Sequence, residues 1–311
     1  MELMNQVLII DKPSGCTSHD VINRVRRILG LRSIGHLGTL DPLATGVLPL
    51  VVGNFTRLAQ FYLGAEKEYE GVIRLGFATD TYDAEGQAVG TEEGRRETAQ
   101  RASEIGETQV REAGSRFVGS LEQLPPPFSA KKIEGVPAYK LARRKREVPS
   151  TPVPVRPQQI EVHRLEFRLL PEARVGFRTR VSSGTYIRSI AHDLGGVLGC
   201  GAHLESLRRT AHGEFTLGDA HALETLSAQS DFSAFFLHPR KLLPQIPSVT
   251  ANEEQIALIR HGRAVNLPEM SNSKFVKVFA GQAELIAIAT RVAGTLFHPK
   301  IVLTGEALVQ K

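Results

Sequence analysis

Apolar residues in the first part of the chain follow two patterns, one typical of a buried strand and the other of a helix. Residues 7–10 are uniformly apolar and predict a short buried strand. Beyond the next turn, apolar residues recur every three or four positions, as on one face of a helix, and Gly30 suits the end of that helix. Thr17 or Ser18 can cap its start, with Asp20 near the positive end of the helix dipole. The apolar face of this predicted helix consists of Val21, Ile22, Val25, Ile28 and Leu29.

Strand and helix patterns then follow one another as far as about residue 243. The predicted strands cover residues 47–52, 67–76, 160–170 with one irregularity, and 174–181. The last of these alternates cleanly, so Val175, Phe177, Thr179 and Val181 should face inward. The predicted helices cover residues 91–120 with a break near Gly106, a stretch from Ser189 to Gly195 or Gly199, and about 203–209.

The pattern of apolar segments and turn residues changes from about Pro244 onward. One predicted helix, residues 253–261, precedes four short apolar segments at 264–267, 275–280, 283–291 and 300–303. Turn residues divide these segments, as in a small β-rich module. We therefore predict an α+β protein with a large domain over residues 1–243 and a small β-rich domain over 244–311.

Composition and charge restrict the class of protein. A chain of 311 residues with 41% hydrophobic content can bury a substantial core. No apolar run approaches the ~20 residues of a membrane span, and residues 1–8 lack the features of a secretion signal. Two distant cysteines, Cys16 and Cys200, suggest neither a disulfide framework nor a metal site. These features predict a cytoplasmic protein without a bound metal.

One segment carries much of the positive charge. Residues 131–147 contain seven Lys or Arg residues against two Glu residues, whereas the whole chain has a net charge of +5. Little in this segment can be buried, so we expect an exposed insertion at about 125–150. Such a run is typical of a solvated surface or of contact with a polyanion, and composition alone does not choose between them.

Asp41 is the most conspicuous candidate for chemistry. It lies in a glycine-rich stretch, residues 35–50, that leads into an apolar strand. Pro42 disfavours the helical region for the preceding residue, so the carboxylate should be presented from a loop. Taken alone, an Asp-Pro pair is also a common turn.

Four stretches, taken in order, resemble the TruB-type pseudouridine synthases, which modify the T-loop of tRNA. They are Lys12-Pro13-Ser14-Gly15, the segment from Gly35 to Pro42, Lys67-Glu68-Tyr69, and Gly184-Thr185-Tyr186-Ile187-Arg188. The resemblance covers about residues 5–217, with a looser similarity to an RNA-binding PUA module near 248–308.

The resemblance implies a fold and a reaction. The fold would have a mainly antiparallel central sheet in the catalytic domain and a PUA-like domain at the C-terminal end. The reaction would isomerise uridine 55 of tRNA to pseudouridine, by breaking the N-glycosidic bond and joining C5 of the base to the same ribose. No cofactor or protein partner would be required, and a monomer is expected.

The same resemblance implies residue roles. Asp41 would be the catalytic carboxylate, which is ionised at neutral pH; it could attack the sugar C1′, add to C6 of the base or remove a ribose proton. Arg188 would orient it through a guanidinium fork. Tyr69 would lie against the flipped uracil. His36 would fill the place that the uridine vacates, and Leu207 would pack under the base.

Three further residues would contact the RNA substrate: Tyr186 and Lys12 in their motifs, and Lys132 in the basic insertion. Two alternatives stay open at this stage. The protein could be a guide-dependent synthase of the same family, or an RNA-binding or tRNA-folding factor. The presence of Asp41, Tyr69 and Arg188 together favours an active enzyme.

Overall fold

The computed structural model describes residues 5–127, 132–133, 136–137 and 156–303. Its strands are β1 (Gln6–Lys12), β2 (Ile34–His36), β3 (Thr45–Val52), β4 (Lys67–Leu75), β5 (Gly119–Gln123), β6 (Lys132–Ile133), β7 (Val136–Pro137), β8 (Gln158–Leu170), β9 (Arg174–Val181), β10 (Ala202–His212), β11 (Phe215–Thr216), β12 (His221–Ala222), β13 (Ser248–Ala251), β14 (Val265–Asn266), β15 (Phe275–Ala280), β16 (Glu284–Ala293) and β17 (Leu296–Val302). Its α-helices are α1 (Ser18–Leu29), α2 (Glu92–Ser103), α3 (Glu107–Ser115), α4 (Ile187–Leu198), α5 (Leu223–Ser227) and α6 (Glu253–Arg260). Within these ranges, no helix is both long and apolar enough to cross a lipid bilayer.

The chain forms two compact units. The first contains the described residues within Met1–Pro42, Gly46–Leu63 and His212–Lys311, and the second contains Leu43–Thr45 and those within Gly64–Ala211. The predicted domain boundary at 243/244 was placed where the pattern of apolar segments and turn residues changes, which is a different criterion. That boundary stays a prediction.

In the first unit, strand β1 is the centre of a small sheet. It pairs antiparallel with β3 and parallel with β12, while β2 pairs with the other edge of β3. The residues of the apolar run 7–10 are fully buried, as their pattern predicts. Helix α1 follows directly and begins at a capping box between Thr17 and Asp20, and Gly30 in the left-handed conformation ends it. The predicted strand, helix and cap are therefore confirmed.

The C-terminal part of the first unit is a separate five-stranded sheet. Its order is β13-β15-β16-β17-β14, antiparallel except for the parallel pair β13 and β15. Helix α6 covers a core that includes Val276, Ile286 and Phe297. The predicted β-rich module with one helix is confirmed, although β13 was not expected. The carbonyl of Leu303, just past the last strand, accepts hydrogen bonds from the side chains of Asn5 and Asn54, at 2.7 and 3.1 Å.

In the second unit, five strands are arranged in the order β10-β4-β9-β8-β5. The pairs β4–β9, β9–β8 and β8–β5 are antiparallel, and a register shift near Val162 is the predicted irregularity of β8. Alternate residues of β9 are buried, as predicted. Helices α2 and α3 are separated at Gly106, and α3 packs on β8 and α4. The α+β class with a mainly antiparallel sheet is confirmed.

One predicted element is wrong. Residues 203–209 were expected to form a helix, but they lie in strand β10, which neighbours β4 in the sheet. Leu204 and Leu207 are three residues apart, which mimics a helical face over so short a stretch. Pairing in the sheet, which the local pattern does not encode, decides the conformation.

Candidate functional site

The loop that carries Asp41 is fixed on both sides of that residue within the first unit. Its neighbour Leu40 is bound by Ser18, the first residue of α1. The Ser18 hydroxyl accepts a hydrogen bond from the Leu40 N–H at 2.8 Å and donates to the Leu40 carbonyl at 3.1 Å. Ser18 is 2% exposed and Leu40 is 4% exposed, so water does not replace these bonds.

On the other side of Asp41, the Pro42 carbonyl accepts two hydrogen bonds. The Gly15 N–H donates at 2.9 Å, and the ammonium group of Lys12 donates at 3.2 Å. Gly15 adopts φ +80°, a conformation that glycine reaches without strain, and this lets its N–H approach Pro42. The Asp41 carboxylate thus projects from a segment whose two neighbouring peptide groups are anchored to β1 and the start of α1.

Lys12 was predicted to contact the substrate. The structure places its side chain in full burial, and its ammonium also donates to the Pro13 carbonyl at 2.9 Å. These contacts give Lys12 a role in holding the Asp41 loop, since a buried ammonium group needs such acceptors. Its contact with RNA stays a prediction.

His36 lies at the start of the same loop. It is the last residue of β2, where it pairs with Leu50 of β3 and is half-buried. The next residue, Leu37, donates its N–H to the Pro49 carbonyl at 3.0 Å, which continues the attachment of the loop to β3. The imidazole therefore lies five residues before Asp41 on a segment that the sheet holds.

In the second unit, Tyr69 lies in β4 and is hydrogen-bonded to Arg209 of β10. Arginine has only donors, so the phenol oxygen of Tyr69 accepts and its own O–H stays available to donate. Burial lowers the pKa of Arg209, and Tyr69 opposes this effect. An open polar cavity of about 420 Å³ borders Tyr69 and is lined in part by Arg178 and Arg180.

Lys67 lies two residues before Tyr69 on strand β4 and belongs to the same group of side chains as Tyr69 and Arg209. Its ammonium donates to the Ala65 carbonyl at 2.6 Å and to the Ser183 hydroxyl at 3.1 Å. Burial, followed by the charge of Arg209, lowers the pKa of Lys67 to about 8. Through Ser183, Lys67 attaches β4 to the loop that precedes α4.

Arg188 lies in the first turn of α4 and is buried, with 6% exposure. Its Nη1 donates to the Thr81 carbonyl at 3.1 Å and lies 3.4 Å from Oδ2 of Asp83, which is 3% exposed. The other carboxylate oxygen of Asp83 accepts from the Thr81 hydroxyl and from the Glu85 N–H. The acidic turn at 79–86 is thus built on hydrogen bonds of its own backbone and side chains, and it also binds the candidate arginine.

The start of α4 is held by an amide side chain from β5. Gln123 accepts from the Tyr186 N–H at 2.8 Å and donates to the Tyr186 carbonyl at 3.0 Å. The Ser189 hydroxyl also donates to the Leu124 carbonyl at 2.8 Å. These contacts fix the backbone that presents Tyr186 and Arg188. The helix begins at Ile187, two residues before the predicted start.

Leu207 is buried in β10, and its carbonyl accepts a hydrogen bond from the Thr45 hydroxyl at 3.4 Å. Thr45 also accepts from Arg208 at 3.3 Å. Lys132 lies in the two-residue strand β6, which pairs with β7. Apart from these two strands, the basic segment 131–147 lies outside the described residues, and its contact with RNA stays a prediction.

The predicted residues fall into two groups. The first unit holds Asp41, His36 and Lys12, and the second holds Tyr69, Arg188, Tyr186 and Leu207. The pairing of Asp41 with Arg188, and their union with Tyr69 in one site, stay predictions. Within the described ranges, no three His, Cys, Asp or Glu side chains converge as a metal site would require.

Sequence reasoning missed four residues that position these groups: Ser18, Gln123, Asp83 and Arg209. Arg209 ends a Leu-Arg-Arg triplet, but a strand was not expected there. Asp83 lies in none of the four motif stretches. Ser18 and Gln123 act through single hydrogen-bonding groups, for which the sequence has no periodic signal.

Known proteins match this chain over most of its length. Residues 26–187 match the TruB family pseudouridylate synthase N-terminal domain, and residues 188–236 match the tRNA pseudouridylate synthase B C-terminal domain. A protein of Solibacter usitatus named tRNA pseudouridine synthase B is 45% identical over 306 residues, which are 96% of this chain and all of that protein. The protein of the same name from Aquifex aeolicus is 36% identical over 96% of this chain and all of its own length.

A solved structure has the same fold. One chain in a crystal structure of a Cbf5–Nop10–Gar1 complex superposes on this chain with a TM-score of 0.68, at 26% identity, over 96% of this chain and 85% of that chain. The two family matches are adjacent and together cover every candidate residue of the two groups except Lys12. This chain therefore belongs to the TruB family of pseudouridylate synthases.

Proposed function

We propose that this protein isomerises uridine 55 in the T-loop of tRNA to pseudouridine. The agreement with tRNA pseudouridine synthase B of Solibacter usitatus, 45% identity across 96% of the chain, is the observation that carries this proposal. The family membership gives the reaction class, and the relatives' name gives tRNA as the substrate. The choice of position 55 rests on the motif resemblance.

Asp41 is the catalytic carboxylate of the proposed reaction. Anchoring of Leu40 and Pro42 supports this role, since a reacting group must be held in place before the substrate arrives. Attack at C1′, addition at C6 and removal of a ribose proton each require a carboxylate at a fixed position. All three paths therefore remain compatible with the proposed role.

Arg188 orients Asp41 and supplies the compensating charge. Its guanidinium is held by Thr81 and Asp83 through Nη1, and a guanidinium carries five N–H donors, so one such group can bind more than one acceptor. Tyr69 stacks against the extruded uracil, and its phenol O–H is directed by the bond that Arg209 donates to its oxygen.

The remaining residues bind the RNA. His36 fills the position that the uridine leaves, Leu207 packs beneath the base, and Tyr186, Lys12 and Lys132 contact the substrate. The catalytic domain spans residues 1–243, with the basic insertion at about 125–150. Residues 244–311 form a PUA-like RNA-binding domain. The enzyme acts in the cytoplasm as a monomer.

The enzyme works without guide RNA or protein partners. The solved structure with the same fold is a complex with Nop10 and Gar1, but that chain is 26% identical, whereas the full-length relatives named for tRNA reach 45%. Incubating the purified protein with bare tRNA tests this point directly. Pseudouridine formation only after partners are added would assign the protein to the guide-dependent type.

Asp41→Asn tests the catalytic assignment. The substitution keeps the size of the side chain but removes its charge, so we expect tRNA binding to persist and turnover to fall by at least about 10³-fold. Pseudouridine is mapped by mass spectrometry, and binding is measured by filter retention. Asp231→Asn is the matched control, because that exposed carboxylate accepts hydrogen bonds from the nearby Ser233 in a turn outside the candidate groups. If the Asp41→Asn variant keeps its turnover, Asp41 has no part in the chemistry. If the variant binds tRNA normally but loses turnover, the catalytic role of Asp41 is supported.

A further inference from the structure

The acidic turn contains one residue in an unusual backbone conformation. Tyr82 has φ +67°, in the left-handed region that few residues other than glycine adopt. Its N–H donates to the Thr79 carbonyl at 3.3 Å, and its carbonyl accepts from the Leu204 N–H of β10 at 3.0 Å. The turn is thereby held to the sheet, and the free energy that this conformation costs must be offset by other contacts.

The residues on either side of Tyr82 bind the same nitrogen atom. The Thr81 carbonyl is 3.1 Å from Nη1 of Arg188, and the Asp83 carboxylate is 3.4 Å from it. In an extended segment, these two groups would be further apart and would not both face one atom. The left-handed residue between them is what reverses the chain at this point.

The ring of Tyr82 makes a second contact with helix α4. It stacks on the imidazole of His192, with centroids 3.7 Å apart and planes inclined by 12°. His192 follows Arg188 by four residues, so the two side chains lie one helical turn apart on the same face. Burial lowers the pKa of His192, although Asp193 opposes the shift. Burial thus favours the neutral form of the ring over a second cation beside Arg188.

We infer that Tyr82 is a positioning residue for Arg188: its left-handed backbone and its stack on His192 fix the two acceptors that orient the guanidinium. The inference rests on the proposed role of Arg188 at the reacting centre. It assigns a role in the reaction to a pair of side chains, Tyr82 and His192, that none of the sequence motifs contains.

Substitution of Tyr82 separates the ring from the backbone. Tyr82→Gly keeps the left-handed conformation without strain but removes the stack, whereas Tyr82→Phe keeps the stack. We expect Tyr82→Gly to lower the single-turnover rate of pseudouridine formation by about three- to tenfold, with tRNA affinity and melting temperature close to those of the unmodified protein. Tyr82→Phe should restore the rate to within about twofold.

Glu172→Gly is the matched control. Glu172 is another non-glycine residue in the left-handed region, with φ +61°, and it lies in the exposed turn between β8 and β9. The same change there should leave the rate unaltered. His192→Ala should reproduce the loss seen with Tyr82→Gly, and the double variant should lose no more than either single variant, because both remove one interaction.

Three results would overturn the inference. They are a normal rate in Tyr82→Gly, an equal loss in Tyr82→Phe, and additive losses in the double variant. Each is interpreted after the unmodified protein has been shown to be active and Asp41→Asn inactive. Failure of that first step would refute the proposed function, whereas the Tyr82 results concern only the positioning of Arg188.

Discussion

Replacing Ser18 by alanine should loosen the Asp41 loop without disturbing the helix that carries Ser18. Thr17, not Ser18, caps helix α1, and alanine is the best helix former. The loss therefore comes from Leu40, whose buried N–H and carbonyl both bind the Ser18 hydroxyl. Ser18→Ala removes the partner of two polar groups at once.

The size of the effect follows from how the loop responds. If the loop stays in place, two unsatisfied buried groups cost about 1–3 kcal/mol each. If the loop instead moves to expose them to water, only the net value of the two hydrogen bonds is lost, about 1 kcal/mol each or about 2 kcal/mol together. In that case, returning Asp41 to its position costs a similar amount, which lowers the rate by up to about 30-fold.

Both responses can be measured. Urea unfolding gives the stability, and single-turnover release of tritium from uridine labelled at C5 gives the rate, since C5 loses its hydrogen when it becomes bonded to the ribose. Ser33→Ala is the control: that hydroxyl also donates to a backbone carbonyl, of Gly53 at 3.3 Å, but away from the Asp41 loop. A Ser18→Ala protein that keeps both its stability and its rate would refute the reasoning.

Two further substitutions test the second unit. Gly71→Ala places a methyl group 2.2 Å from the Ser206 carbonyl oxygen, so it should lower the free energy of unfolding in urea by about 1–3 kcal/mol or more. Gly64→Ala is the control: its methyl group would meet nothing within 4 Å, so the free energy of unfolding should change by less than about 1 kcal/mol. Equal effects of the two substitutions would contradict this reasoning. Lys67 has its pKa lowered to about 8 in the folded protein against an ordinary value of 10.5, so between these values the unfolded chain holds more protons and unfolding free energy rises with pH. Lys67→Met should remove that rise, which we expect to be about 1–2 kcal/mol after allowing for partial exposure of the side chain, and an unchanged pH dependence would show that Lys67 is not perturbed.

The elements that sequence could predict are those with a strong local signal. Helix α1 has an apolar face, a capping residue and a terminal glycine, and each was found where expected. Strand β9 alternates cleanly and was also correct. Strand β10 failed because its conformation is set by its neighbour in the sheet, and its leucines at 204 and 207 also fit a helix.

The same distinction applies to the candidate site. Asp41, Tyr69 and Arg188 were identified through motif resemblance, which records the reacting groups. The residues that hold these groups in place were not identified from the sequence, because a buried contact such as that between Arg188 and Asp83 joins residues more than a hundred positions apart. Lys12 shows the converse: its motif was noticed, but only the structure reveals that its ammonium is buried against Pro42.

The pairing of β1 has a consequence for how the protein is made. One edge of β1 is satisfied early, by β3, but its other edge pairs with β12 and contacts residues 236 and 237, about 200 residues later. At about 5–20 residues per second, the ribosome needs roughly 10–40 s to supply them. During that interval, the apolar edge at residues 7–10 is open to other nascent chains. Strand β1, whose following turn anchors the Asp41 loop through Lys12 and Gly15, is thus exposed to aggregation until synthesis is nearly complete.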